Sequence, residues 1–247
     1  VALRADYSLP LEKLSRVMDD STRLLLLNTP HNPTGRVFNE NSLRELVDIA
    51  RDHDVILLSD EVYEHLYYGD ARHVPLARVK GAAERTLTIG SAGKSFDATG
   101  WKLGWILGNE NLMKSVRVAH QYVTYCVSTP LQEALTKFLN KFDQEQFFRS
   151  MREKYEQRRS VLVEGLRTGP FEVQETKGSY FVTAKVSSTN LGEKSPREKI
   201  QWLIDRFGVA AVPMEAFYRT SDPDPASFRF AFCKDQETLR EASERLS

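Results

Sequence analysis

Cysteine is scarce in this chain: two in 247 residues, Cys126 and Cys233, more than a hundred positions apart. That excludes a disulfide-stapled scaffold and a cysteine metal cluster, and both are expected to be reduced core or boundary residues. The five histidines, 31, 53, 65, 73 and 120, have neither metal-ligand spacing nor triad partners, so none is given a catalytic role and no metal is expected. Charge of one sign is also missing. Thirty-four basic residues balance thirty-four acidic ones and the pI is about 7.1, which gives no field to attract nucleic acid or an anionic membrane. No apolar run approaches the ~20 residues of a spanning helix, and no basic-then-apolar leader opens the chain. A soluble protein is expected, cytoplasmic or, with a presequence ahead of the non-methionine start Val1, mitochondrial. There is no internal repeat, dinucleotide fingerprint or phosphate P-loop.

What is present is a trio of polar segments, each directly after a short apolar run. Asn28-Thr29-Pro30-His31-Asn32-Pro33-Thr34-Gly35 follows Leu24 to Leu27, Ser59-Asp60-Glu61-Val62-Tyr63 follows Val55 to Leu58, and Gly90-Ser91-Ala92-Gly93-Lys94 follows Thr86 to Ile89. Such runs, bounded by turn residues, read as buried strands of a parallel sheet. Their polar groups then gather at the carboxyl ends of the strands, where open α/β sheets bind ligands.

Between the first two runs, Leu43, Leu46, Val47 and Ala50 make one helical face with Asn39 as its cap. This is a strand, helix, strand unit. A less regular crossover runs from Tyr63 to Arg85, and after Lys94 come the apolar run Leu103 to Leu107 and helices at about 110–125 and 131–141. Residues 144–168 form one charged helical pattern, with Arg158 and Arg159 expected on a solvated face, ended by Gly169-Pro170. The texture then changes to mixed strands and helices, with a strand expected over 209–213. The expected division is a large α/β domain over 1–143, a connecting helix over 144–168 and a smaller α+β domain over 169–247.

Lys94 is the first candidate for chemistry, because an amine at the end of a buried strand can condense with an aldehyde. An ammonium is no nucleophile, so burial or a cationic neighbour must favour the neutral form, and Lys102 is a candidate neighbour. Ser91-x-x-Lys94 also fits serine acylases, but the Ser-Asx-Asn and Lys-Thr-Gly elements they need are absent. Asp60 ends a buried strand, where a carboxylate needs a cationic or hydrogen-bonding partner; a protonated ring nitrogen would serve, and so would a helix N-terminus. Asn32 is a turn residue before Pro33 whose amide, like the Tyr63 phenol, can donate to a ring-bound oxygen. Ser91 and Lys102 suit a phosphate. Arg229, on the otherwise apolar Phe228-Arg229-Phe230-Ala231-Phe232, matches a carboxylate with its fixed fork.

Taken together, Asn32-Pro33-Thr34-Gly35, Asp60-Glu61-Val62-Tyr63, Ser91-Ala92-Gly93-Lys94, Lys102 and Arg229 resemble the fold type I, pyridoxal-phosphate-dependent aminotransferases. Within these, Leu87 to Phe96, Ala98 to Trp105 and Phe228 to Asp235 are similar to the kynurenine aminotransferase and cysteine-S-conjugate β-lyase branch. The resemblance covers the chain from about Ser21 onward. It implies a three-layer α/β/α fold around a mainly parallel sheet with a smaller C-terminal α+β domain, and pyridoxal 5′-phosphate as cofactor. Lys94 would join the cofactor aldehyde and act in catalysis, Asp60 would pair with the ring nitrogen, Asn32 and Tyr63 would hold the ring oxygen, and Ser91 and Lys102 the phosphate. Arg229 would bind the substrate carboxylate.

The resemblance further implies a cis Asn32-Pro33 bond, amino acid and 2-oxo acid substrates, and a homodimer. The expected reaction is transamination of a kynurenine, aromatic, glutamine or methionine type of amino acid; β-elimination from a cysteine conjugate uses the same residues. A regulator built on the same fold would need a basic reading helix, and none is found. Relatives carry an N-terminal segment with a glycine-containing phosphate turn and a ring-stacking aromatic residue that has no counterpart here. The chain is therefore expected to be a piece of a longer protein, to need a partner chain, or to be a truncated, catalytically incomplete form.

Overall fold

The computed structural model describes residues 1–186, 191, 193–219 and 226–247. By its contacts the chain forms two units, one of Val1–Pro30, Val37–Tyr67 and Arg72–Arg149, the other of His31–Arg36, Tyr68–Ala71 and Ser150–Ser247.

In the first unit, α1 (Leu11–Val17) leads to β1 (Leu24–Asn28), α2 (Glu40–Asp52), β2 (Ile56–Asp60) and β3 (Thr86–Ser91). The short α3 (Ala92–Ser95) follows, then β4 (Gly104–Leu107), α4 (Glu110–Val123) and α5 (Thr129–Leu139). The strand order is β1-β2-β3-β4, with the first three parallel and β4 antiparallel to β3. Helix α2 forms as its sequence dictates: Asn39 caps it, accepting from Ser42 N at 2.9 Å, and Leu43, Leu46, Val47 and Ala50 are fully buried. They pack with Leu27, Val55, Leu57, Leu76 and Val79 in a single core. The irregular crossover contributes two 3₁₀ turns, Leu76–Arg78 and Ala83–Arg85, instead of a long helix.

Helix α6 (Gln144–Thr168) carries the division between the units. In the second unit come β5 (Phe171–Val173), β6 (Phe181–Val186), α7 (Pro196–Phe207), β7 (Val212–Pro213), β8 (Ser227–Ala231) and α8 (Gln236–Leu246). The sheet is antiparallel in the order β5-β6-β8-β7. Residues 31–36 and 68–71 join this unit through the backbone: Lys177 N donates to Gly35 O at 3.1 Å, and Tyr68 N donates to Lys177 O at 2.9 Å. The α/β class with a smaller α+β portion is thus the architecture found.

Three sequence expectations need correction. Cys126 and Cys233 are both exposed, not core. Arg159 is not on a solvated face: its guanidinium lies 5.2 Å from the Tyr68 ring centre and Nη1 donates to Thr176 O at 2.7 Å. The stripe of α6 faces the second unit's core through Met151, Tyr155, Leu162 and Leu166, and Arg159, one turn beyond Tyr155, is turned inward with it. The strand expected over 209–213 shortens to Val212–Pro213. Beside the family it resembles, the chain looks shortened over 187–199, on the substrate side, and of that stretch residues 187–190 and 192 lie outside the described residues.

Candidate active site

Parallel pairing sends β1, β2 and β3 out at one edge of the first sheet, and the register places Asn28 opposite Asp60 and Asp60 opposite Ile89. Asn28 Nδ2 and Thr29 N both donate to Asp60 O at 3.0 Å, which locks the end of β2 to the exit of β1. The Asp60 carboxylate is half-buried and accepts from Val62 N at 3.3 Å. Burial raises its pKa above the usual carboxylate range, the bond from Val62 opposes this and the adjacent Glu61 adds to it. No cation among the described residues pairs with it.

Tyr63, three residues on, is buried at 5 % exposure. Lys94 is half-buried on α3, with Nζ 5.9 Å from the centre of the Tyr63 ring. Folding therefore brings together a phenol and an amine that are thirty-one positions apart in the chain. Ser91 sits at the end of β3, paired with Gly104, and its side chain does not cap α3. Lys102 is exposed and left-handed (φ 54°), ending the 3₁₀ turn Thr99–Trp101 two residues before Gly104. Neither Ser91 Oγ nor Lys102 Nζ is hydrogen-bonded or ion-paired to a described residue.

Asn32 and Arg229 meet within the second unit. The His31–Arg36 loop closes on itself, with His31 N donating to Arg36 O at 2.8 Å and Gly35 N to His31 O at 2.7 Å. Its Asn32-Pro33 peptide is cis, as is Thr29-Pro30. Arg229, on β8 between Thr183 and Val212, extends its guanidinium to within 4.0 Å of the Phe181 ring centre and 4.8 Å of Phe217. Its Nη1 donates to Asn32 Oδ1 at 2.8 Å. That bond uses the acceptor oxygen of the amide. Two aromatic faces thus flank a planar cation, whose fork has the geometry to match a carboxylate in two parallel bonds.

Sequence reasoning missed a buried polar group directly behind Asp60. Glu61, 1 % exposed, accepts from Ser59 Oγ at 2.7 Å and Leu76 N at 2.9 Å, and its Oε2 is 2.8 Å from His73 Nε2. Nothing in the local pattern marks this pair, since the two stand twelve positions apart across an irregular stretch. It also missed the buried ion pair of Lys199 with Glu215. Among the described residues no cluster of His, Cys, Asp or Glu could hold a metal, and no helix is long and apolar enough to cross a membrane.

Known proteins share this fold. The N-succinyldiaminopimelate aminotransferase of Mycobacterium tuberculosis superposes with a TM-score of 0.89 at 40% identity, over 97% of this chain and 62% of that one. YbdL of Escherichia coli, described as having a methionine aminotransferase function, gives 0.93 at 31% over 100% and 64%. The kynurenine–oxoglutarate transaminase of Dictyostelium discoideum is 35% identical over 95% of this chain and 58% of its own length. The chain thus spans about three fifths of the length of these relatives. The family model of aminotransferase class I and II matches residues 1–246, so a sheet edge carrying a lysine, a phenol and an unpaired carboxylate lies in a chain that belongs to the class I and II aminotransferases.

Proposed function

We propose that the protein carrying this chain transfers the amino group of an amino acid to a 2-oxo acid with pyridoxal 5′-phosphate as cofactor. The observation that carries the reading is Asp60: a half-buried carboxylate held at a sheet edge with no cation paired to it among the described residues. A protonated pyridine nitrogen is the partner it lacks. The uncommitted Ser91 hydroxyl and Lys102 ammonium suit a phosphate, and the Asn32 amino group and the Tyr63 phenol suit the ring oxygen, so the residues present fit the group.

When bound, pyridoxal phosphate supplies an aldehyde that condenses with amines and a cationic ring that accepts an electron pair. The chain supplies the rest. Arg229 takes the α-carboxylate of the amino acid in its fork and so orients the Cα–H bond. Lys94 is the base that removes that proton, and positioned transfer of this kind is worth ~10²- to 10⁴-fold. Asp60 keeps the ring nitrogen protonated. Substrates of the kynurenine, aromatic, glutamine or methionine type are proposed, since relatives named for kynurenine and methionine match 95% and 100% of this chain. A homodimer is proposed as the working assembly, with no role for nucleic acid or membrane, and a cytoplasmic or mitochondrial location.

The test is Lys94→Ala at the protein's natural length. Turnover should vanish while cofactor still binds without a covalent link; a variant as active as the parent contradicts the assignment. Product analysis decides the chemistry, since a new amino acid marks transamination, whereas pyruvate with ammonia marks β-elimination from a cysteine conjugate. A chain that takes up no cofactor in an absorbance titration is a catalytically incomplete form.

A further inference from the structure

Directly behind the sheet edge, the first unit buries a carboxylate and an imidazole that the proposed reaction does not use. Glu61 and His73 have side chains 1% and 4% exposed. Every oxygen of Glu61 is committed: Oε1 accepts from Ser59 Oγ and from Leu76 N, and Oε2 faces His73 Nε2. His73 Nδ1 is buried with no partner among the described residues. A buried carboxylate is tolerated only when its hydrogen bonds are complete, so these contacts hold one another in place. They also hold backbone. Glu61 N donates to Ile89 O at 3.0 Å on β3, and through Leu76 N the carboxylate pins the start of the first 3₁₀ turn of the crossover.

The consequence falls on the preceding residue. Among the described residues the Asp60 carboxylate is anchored only by the 3.3 Å bond from Val62 N, so its direction is set by the backbone on either side of Glu61. The other charged groups facing the cluster are Asp60 itself and Glu64, whose Oε1 lies 3.4 Å from His65 Nε2 and accepts from Ser95 Oγ at 3.4 Å, next to Lys94.

We propose that the buried Glu61–His73 pair is a positioning element that aims the Asp60 carboxylate at the cofactor ring nitrogen. This rests on the proposed site. The pair touches neither cofactor nor substrate; it acts through Asp60.

The experiment is an absorbance titration of pyridoxal phosphate into the protein at its natural length, with Glu61→Gln, Asp60→Asn and the double variant, together with the pH profile of the bound cofactor's visible band. Glu61→Gln should weaken cofactor binding on the order of tenfold, the size outer-shell partners have at metal sites, and should move the pH profile. In the Asp60→Asn background it should do neither. His73→Gln keeps a donor near the Nε2 position and should retain the parent's affinity and spectrum, whereas His73→Phe should behave like Glu61→Gln; this second series holds even if Glu61→Gln folds poorly. An equal loss in both backgrounds overturns the positioning role alone. An Asp60→Asn protein that binds cofactor as tightly as the parent overturns the proposed site and this role with it.

Discussion

Arg229 Nη1 donates a 2.8 Å hydrogen bond to Asn32 Oδ1, joining residues 197 positions apart in the chain. One end of this contact is a strand arginine flanked by Phe181 and Phe217; the other is the amide oxygen of a loop asparagine. On the proposed reading, Arg229→Lys loses the second parallel bond to a carboxylate and the planar stacking on Phe181. The expected result is a fall in kcat/KM of about a hundredfold, the equivalent of ~3 kcal/mol, with cofactor content unchanged. Steady-state kinetics beside an absorbance measurement of bound cofactor checks it; a variant with parental kinetics removes the clamp assignment.

Asp60 yields a prediction of opposite signs in two states. Burial raises its folded-state pKa, so in the cofactor-free protein its charged form is unfavourable. That penalty is absent below the unfolded pKa, grows as pH rises above it and is complete once pH passes the raised folded value. Asp60→Asn should therefore raise the melting temperature of the cofactor-free protein at neutral pH by roughly 1–3 °C, a small shift because the group is partly solvated. At pH ~4 the gain should fade. Cofactor binding should weaken by at least about tenfold, because the same carboxylate then lacks its charge. Melting curves at the two pH values, with and without cofactor, test both signs.

His31 is lowered from the usual 6.5 to about 4 by burial, and its Nδ1 shares a 2.8 Å hydrogen bond with Thr34 Oγ1. The native state thus keeps this imidazole neutral while the unfolded chain protonates it. Stability from this group is complete above pH ~6.5 and is lost as pH falls toward about 4. At full extent the loss is about 3 kcal/mol. His31→Gln should flatten that limb of a urea-denaturation series between pH 7 and 4; an unchanged slope would count against the burial of the ring.

Gly35 (φ +67°) and Gly69 (φ +61°) are both left-handed, but their surroundings differ. A Cβ on Gly35 would strike the Thr176 methyl, with Gly178 O at 2.8 Å and Phe181 O at 3.0 Å, whereas nothing lies within 4 Å at Gly69. Gly69→Ala should cost only the left-handed penalty of about 1–2 kcal/mol. Gly35→Ala should cost at least about 3 kcal/mol, because backbone must also move, and that movement carries the neighbouring Asn32. Chemical denaturation of the two variants side by side checks the ranking.

Much of this was legible in the chain order. Apolar runs of four or five residues ended by Asn28, Asp60 and Ser91 announce strands, and the α2 stripe announces its helix, because period-two and period-3.6 patterns depend only on near neighbours. The long α6 and its stop at Gly169-Pro170 were equally plain. Less legible was Arg159: its charged neighbours suggest a wet face, but the choice between water and the Tyr68 ring was made by what packs against the helix. Cys126 and Cys233 show the reverse, apolar in character yet exposed.

By itself the sequence determined which functional groups sit at the tips of which strands, since a strand's end and the polar residue after it are local facts. Only the tertiary structure decided which of them meet: Lys94 beside Tyr63, Arg229 on Asn32, Glu61 against His73. The physical reason is that a partner in a side-chain contact is chosen by strand register and crossover path, and these follow from burying the whole apolar surface at once rather than from any spacing along the chain.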